Sequence, residues 1–449
     1  MRLSLSVLAL ASAFAAPALA EDTLPATLAG HAYIPALSLV TPPADAPRDA
    51  WLSGKFTGKA RNDQPMSVMG NVGKAYGGHD TGIALPFIGQ PMQGMSGFAM
   101  TQAEDGSIYA LTDNGFGSKR NSPDAMLFFH KMAPDFAAGT VDRRDTIFLS
   151  DPDHKVPFRI AYEGTDSRYL TGADFDPESI QVLNGEVWIG EEFGPYIIRA
   201  GLDGVVKAVY PTLLDGKELH GPDTYSVYVP AEAGKDYQVQ RSGGYEGMAL
   251  QPGTGLLWAM LEKPILVEGG KTEGNFLRVI QFDTNKAEWT GKSVKFALTE
   301  GATAIGDFNF IDGTRALVIE RDNGEGDAAR ACAEGATDTS ACYPKPAKVK
   351  NIVLVDTADI DADGFMRRIA HIDLLNIADP DGKALAGMKP AEGPFSFPFF
   401  TIEDVIAVDD THIMVANDNN LPFSGGREPG VAANNEFILL SVPELLAAK

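Results

Sequence analysis

One short pattern recurs five times along this chain and restricts its fold more than any other feature. The copies are SGFAMTQAEDGSIYALTDNG (96 to 115), ESIQVLNGEVWIGEEFGP (178 to 195), EGMALQPGTGLLWAMLEKP (246 to 264), DFNFIDGTRALVIERDNG (307 to 324) and EDVIAVDDTHIMVANDNN (403 to 420). Each is a short apolar run, a turn marked by Asp-Gly, Asn-Gly, Pro-Gly or Asp-Asp, and a second apolar run ending in polar residues. Runs of this length around such turns form β-hairpins. The segments YIIRAGLDGVVKAVY and FLRVIQFDTNKAEW supply outer hairpins between copies. A helical pattern is confined to the chain start and a short VPELLAAK tail. Recurrent four-strand units point to an all-β protein, a β-propeller of five to seven blades with six favoured, over a pair of packed β-sandwiches. The propeller is expected over 93–449 as a single large domain, after an extension and first strands over 21–92.

The opening MRLSLSVLALASAFAAPALAED has one basic residue, an alanine-rich apolar run and a small-residue Ala18-Leu19-Ala20 before acidic Glu21. That layout predicts a signal peptide over 1–20, cleaved after Ala20, and hence a periplasmic or secreted chain. No later segment reads as a membrane anchor. The formal net charge of -23 argues against nucleic acid and anionic membranes as partners. It would also repel an anionic substrate unless cations intervene. Hydrophobic residues at 44% suffice for a large core, and a monomer is expected. The two cysteines, Cys332 and Cys342, lie in a Gly/Thr-rich loop and are expected to pair as a disulfide in an oxidising compartment.

In a hairpin the start of the first strand and the end of the second meet at one edge. Those positions hold Glu178 with Glu192, Glu246 with Glu262, Asp307 with Glu320, Arg321 and Asp322, and Glu403 with Asn417 and Asp418. The first copy offers Ser96 with Asp113 and Asn114. Arranged as blades around one axis, these ends converge on one face. Carboxylates so close raise one another's pKa, so either some are protonated or a cation sits among them. Oxygen ligands without His or Cys favour Ca²⁺ over Mg²⁺. Glu178, Glu192, Glu246, Glu262, Asp307 and Glu403 are therefore the candidate metal ligands, with Glu192 the candidate base. Lys263 and Arg321, beside Glu262 and Glu320, are the candidate phosphoryl-holding cations, and Lys119 with Arg120 lie near the same face. Strand capping and salt bridging are the competing roles for all of these residues.

The stretch DIDADGF (359 to 365) resembles the start of an EF-hand loop, but its twelfth position is Ala370 where a bidentate Glu is needed, so a turn is expected. No GxSxG, Walker, GxGxxG or HExxH motif occurs, and the histidines lack ligand spacing.

The runs TGADFDPESI, GEVWIGEEFGPY and GYEGMAL, with SGFAMTQAEDGSIYALTDNG before them and ERDNG after, resemble the bacterial phytase-like family, described by its esterase-like activity of phytase, over about residues 90 to 425. The resemblance implies a propeller fold and phosphoester hydrolysis. In the related β-propeller phytases an acidic face binds Ca²⁺ ions that attract phosphate and activate water. Carried over, this makes Glu178, Glu192, Glu246 and Glu403 metal ligands, with Asp307 a weaker match. The DDPAxW segment of those phytases is absent here, so the correspondence is one of role and position. The expected activity is Ca²⁺-dependent hydrolysis of a small phosphate ester. The alternatives are a metal-dependent lactonase or carboxylic esterase on the same fold, and a non-catalytic binding protein stabilised by Ca²⁺.

Overall fold

Side-chain alternation in the second strand of each hairpin dictates the architecture. In the strand Glu186–Glu191, Val187 and Ile189 pack with Leu111, Phe129 and Leu149, while Trp188 between them packs with Met248, Leu257 and Phe282. In Arg315–Arg321, Leu317 and Ile319 join Val405, Val415 and Ile438, whereas Ala316 and Val318 join Trp258, Val279 and Phe296. Successive residues of a strand point to opposite faces, so a strand that is apolar on both must be covered on both. Each large side chain so buried contributes about 1.5–3 kcal/mol. Sheets covered on two faces by their neighbours, all round a circle, form a propeller.

The computed structural model describes residues 21–71, 78–224, 237–268, 270–390 and 393–449; the expected signal segment 1–20 lies outside them. Blade I contains Ile108–Leu111, Phe128–Asp135 and Thr140–Phe148, with Phe98 bridged to Ala110 at its inner edge. Blade II is Pro177–Leu183, Glu186–Glu191, Tyr196–Gly201 and Val206–Pro211, and blade III is Tyr245–Gln251, Leu256–Leu261, Phe276–Asp283 and Glu288–Ala297. Blade IV is Ala304–Phe310, Arg315–Arg321, Lys350–Ile360 and Met366–Asp373. Blade V is Thr401–Ala407, His412–Asp418 and Asn435–Ser441, completed by the N-terminal strand Thr27–Ile34, which pairs antiparallel with Asn435–Ser441. One apolar cluster fills each of the five gaps between successive blades, including the gap where blade V meets blade I through Ala32, Phe98, Met414 and Phe437.

The described residues thus build five blades, which corrects the favoured count of six. Each of the five repeated hairpins is the inner half of one blade. The stretch before Gln93 contributes one strand to blade V, adds the two-residue strand Asp22–Thr23 to the outer edge of blade IV, and otherwise forms short ladders, such as Leu52–Ser53 with Phe87–Ile88, packed around Phe87, Phe116 and Leu421. Its Gly- and Pro-rich composition leaves no apolar runs long enough for another two-faced sheet.

Polar side chains tie the inner strands across the axis. Gln181 donates to the Met248 carbonyl and to Asn309 Oδ1 (both 2.8 Å). Asp307 accepts from the Val405 N–H (2.8 Å), and Asp404 accepts from the Gly97 N–H (2.9 Å), closing the circle from blade IV through V to I. Gly306 is required where blades IV and V touch, because a Cβ there would lie 1.8 Å from the Ile402 carbonyl oxygen.

Peripheral expectations can be placed on this frame. Cys332 and Cys342 form a disulfide. The DIDADGF stretch is a hairpin turn in which Asp361 accepts from the N–H groups of Asp363 and Phe365 (both 2.9 Å). The tail carries one α-helix turn, Pro443–Ala447. No helix among the described residues is long and apolar enough to cross a membrane.

Candidate functional site

The acidic face is produced by a bulge repeated at the start of each inner strand. The ladder skips Glu178 between Pro177 and Ser179, Glu246 between Tyr245 and Gly247, Gly306 between Ile305 and Asp307, and Glu403 between Ile402 and Asp404. In blade I, Ser96 and Gly97 bond the same residue, Leu111, through the Ser96 N–H (3.2 Å) and the Gly97 carbonyl (2.9 Å). An extra residue in one strand of a pair is re-aimed out of the pleat. Opposite each bulge, at the end of the second strand, come Glu192, Glu262, Arg321 and Asp418, with Asp113 in blade I. Four blades thus deliver a carboxylate at this second position, and blade IV delivers a guanidinium.

Two groups of three carboxylates result: Asp113, Asp176 and Glu178, and Glu192, Glu246 and Glu262. Within each group the oxygens lie within 4.8 Å of one another. Arg321 stands against the second group, its Nη2 at 3.0 Å from Glu262 Oε1, 3.3 Å from Glu246 Oε1 and 3.6 Å from Glu403 Oε1. Lys263 Nζ reaches Glu262 Oε2 at 2.8 Å from a more open position, with its side chain 32 % exposed. Burial, followed by the repulsion of neighbouring carboxylates, raises Asp176, Glu178, Glu192 and Glu403 well above the ordinary carboxylate range. Asp418 is raised by burial and by Asp113. Glu246, raised by burial and by Glu262, is pushed up to about 8 despite Arg321.

Neighbouring acids shape the site without belonging to it. Glu191 accepts from the backbone N–H groups of Phe193 (2.9 Å), Gly194 (2.7 Å) and Tyr196 (2.8 Å), which curls the EEFGPY segment so that Glu192 faces the axis. Asp174 does the same for the ADFD segment, accepting from the N–H groups of Ala161 (2.7 Å) and Thr171 (2.8 Å) and leaving Asp176 on the face. Lys119 lies under the rim, 5.0 Å from the Phe193 ring centre.

Of the sequence-derived ligands, Glu178, Glu192, Glu246, Glu262 and Glu403 come together, and Asp307 does not. Asp307 sits one residue past the bulge, and its two oxygens are taken by the N–H groups of Phe308 (2.7 Å) and Val405 (2.8 Å) and by Asn309 Nδ2 (3.0 Å). Its assignment as a ligand is corrected to a tie between blades IV and V; the position equivalent to Glu178 in blade IV is Gly306. Asp176 is the residue that hairpin alignment missed. It lies outside the hairpin, two residues before the bulged Glu178, and the Asp-Pro-Glu spacing is the signal that points to it.

A family model, Phytase-like, described as esterase-like activity of phytase, matches residues 90–421. No curated protein matches. Solved structures with similar chains include Myxococcus xanthus glutaminyl cyclase (9% identity, 78% of this chain and 92% of that one covered, TM-score 0.34). A GH43 endo-arabinanase from Bacillus licheniformis matches at 11% identity, 76% and 92% coverage and a TM-score of 0.33. None of these structural likenesses bears on the chemistry.

Proposed function

The chain belongs to the phytase-like family, described by its esterase-like activity of phytase, and from that premise we propose that it hydrolyses phosphate esters with a hard cation, Ca²⁺, held at the acidic face of the propeller. The observation that supports this reading is the pair of buried carboxylate triads. Asp176 Oδ1 and Glu192 Oε1, one from each triad, are buried without a hydrogen-bond partner. Buried polar atoms are ordinarily paired, and an all-oxygen donor set suits Ca²⁺, so the residues fit such an ion. When bound there, the cation would hold these acids ionised, neutralise phosphate oxygens and acidify a water.

The chain's own groups take the remaining roles. Lys263, at the rim, orients a phosphoryl oxygen through a charge-assisted hydrogen bond. Glu192 Oε1 accepts the proton released by the attacking water, since its surroundings make it a stronger base than an exposed carboxylate. Arg321 keeps Glu246, Glu262 and Glu403 together as a counter-ion from within the site. An exported protein with these properties would work on soluble esters in the periplasm or outside the cell.

The test is turnover by the purified chain of phytate, an aryl phosphate, a phosphodiester, a carboxylic ester and a lactone, with Ca²⁺ and with EDTA. Phosphate release that needs Ca²⁺ and falls at least about 100-fold in Glu192→Gln is the expected result. Turnover of the lactone or carboxylic ester alone would transfer the reading to an acyl esterase. Turnover of none, with Ca²⁺ still bound, would make the protein a cation-stabilised binding protein.

A further inference from the structure

We propose that Arg321 is a built-in cation occupying, in place of a metal ion, the half of the face framed by Glu192, Glu246 and Glu262, so that the chain takes one resident Ca²⁺, at Asp113, Asp176 and Glu178. This rests on the cation-assisted reading above and narrows it.

Both triads bring three carboxylate oxygens within 4.8 Å of one another, and they differ in the cations around them. Around the second, Arg321 already pairs with Glu246, Glu262 and Glu403, and Lys263 pairs with Glu262. A guanidinium stays charged at any working pH and repels a divalent ion competing for the same oxygens. Arg321 is 4 % exposed and lies 5.7 Å from the Phe400 ring centre, so it has no room to swing aside. Blade IV has Gly306 at its bulge, where blades II, III and V carry a glutamate, and a cation at the second position, where the other four blades carry a carboxylate.

The first triad is held less tightly: Arg321 and Lys263 pair directly with the second, whereas Lys119, the cation that acts on Asp176, is shared with Glu191, Asp174 and Asp223. The first triad also has spare neutral oxygens, which Ca²⁺ uses to reach six to eight ligands. Gln93 donates from Nε2 to Asp113 Oδ2 (3.1 Å) while its Oε1 is buried without a partner. Ser96 Oγ, at the bulge of blade I, is likewise buried and unpartnered. A phosphate ester on this face would thus lie between a divalent charge on the side of blades I and II and Lys263 on the side of blade III.

The experiment is calorimetric titration of the metal-stripped, full-length exported chain with Ca²⁺ at neutral pH. One ion per chain is expected, with affinity reduced at least tenfold in Asp176→Asn and stoichiometry still one in Glu246→Gln. Arg321→Met should raise the stoichiometry to two. If that variant does not fold, wild type and Glu246→Gln decide the matter alone. Two ions in wild type, one of them lost in Glu246→Gln, would overturn the assignment while leaving cation-dependent ester hydrolysis standing. A single ion lost in Glu246→Gln and kept in Asp176→Asn would also overturn it. No Ca²⁺ binding at all would overturn both this inference and the cation-assisted reading.

Discussion

Raising the pH of the cation-free protein should destabilise it. Glu246, buried and facing Glu262, is pushed up to about 8 from an ordinary 4.5. Between those values the folded chain keeps a proton that the unfolded chain has released. The stabilisation is therefore complete below pH 4.5 and is lost as pH rises toward 8. The slope for one such group is about 1.4 kcal/mol per pH unit, so going from pH 5 to pH 7 costs about 3 kcal/mol from Glu246 alone. Asp176, Glu178, Glu192, Glu403 and Asp418 are raised by burial and by their acidic neighbours and act in the same direction. One group opposes them: burial holds His130 down to about 3, so stability rises by about 2 kcal/mol from pH 5 to 6.5 as the unfolded imidazole gives up its proton. The acids outweigh it, and a net loss of several kcal/mol is large against a typical total of about 5–15 kcal/mol. Urea unfolding in EDTA at pH 5, 6 and 7, with a parallel series in Ca²⁺, reads this directly. The midpoint should fall with pH in EDTA, and Ca²⁺ should restore it at pH 7 while doing little at pH 5, where the acids hold protons. A midpoint in EDTA that stays level or climbs from pH 5 to 7 would refute the reasoning, since the acids would then be ionised without any added cation.

Two further substitutions separate architecture from site. Asp307→Asn keeps the volume but loses an acceptor for the N–H groups of Phe308 and Val405; it should cost about 1–3 kcal/mol in urea unfolding while Ca²⁺ stoichiometry is unchanged. Gly306→Ala drives a methyl group into the Ile402 carbonyl, so a loss of about 3 kcal/mol or failure to fold is expected, and a normal melting temperature would contradict the close approach of blades IV and V.

The repeated hairpins made the blades legible because each carries both its own turn signal and its own two-faced apolar pattern. Blade number was harder to read, since the strand that completes blade V, Thr27–Ile34, lies some four hundred residues from its partner and no local pattern links them. At the site, Glu178, Glu246 and Glu403 were readable as first residues of the hairpins, and Glu192 and Glu262 as last ones. The error at Asp307 came from the bulge: one skipped residue moves the axial position to Gly306, and a glycine gives no chemical hint of being equivalent to a glutamate. Asp176 was hidden because it precedes the hairpin. The seating of Arg321 against three glutamates from blades III and V depends on tertiary closure, which sequence spacing does not encode.

The antiparallel pairing of Thr27–Ile34 with Asn435–Ser441 makes the two extremities of the chain a clasp. Blade V also carries Glu403 and Asp418, so the acidic ring is complete only when that blade is. A polypeptide ending before residue 435 would leave the opening strand without its mate and the strands that carry Glu403 and Asp418 without their outer neighbour. Losing either strand should therefore unseat blade V as a unit instead of removing one acid at a time.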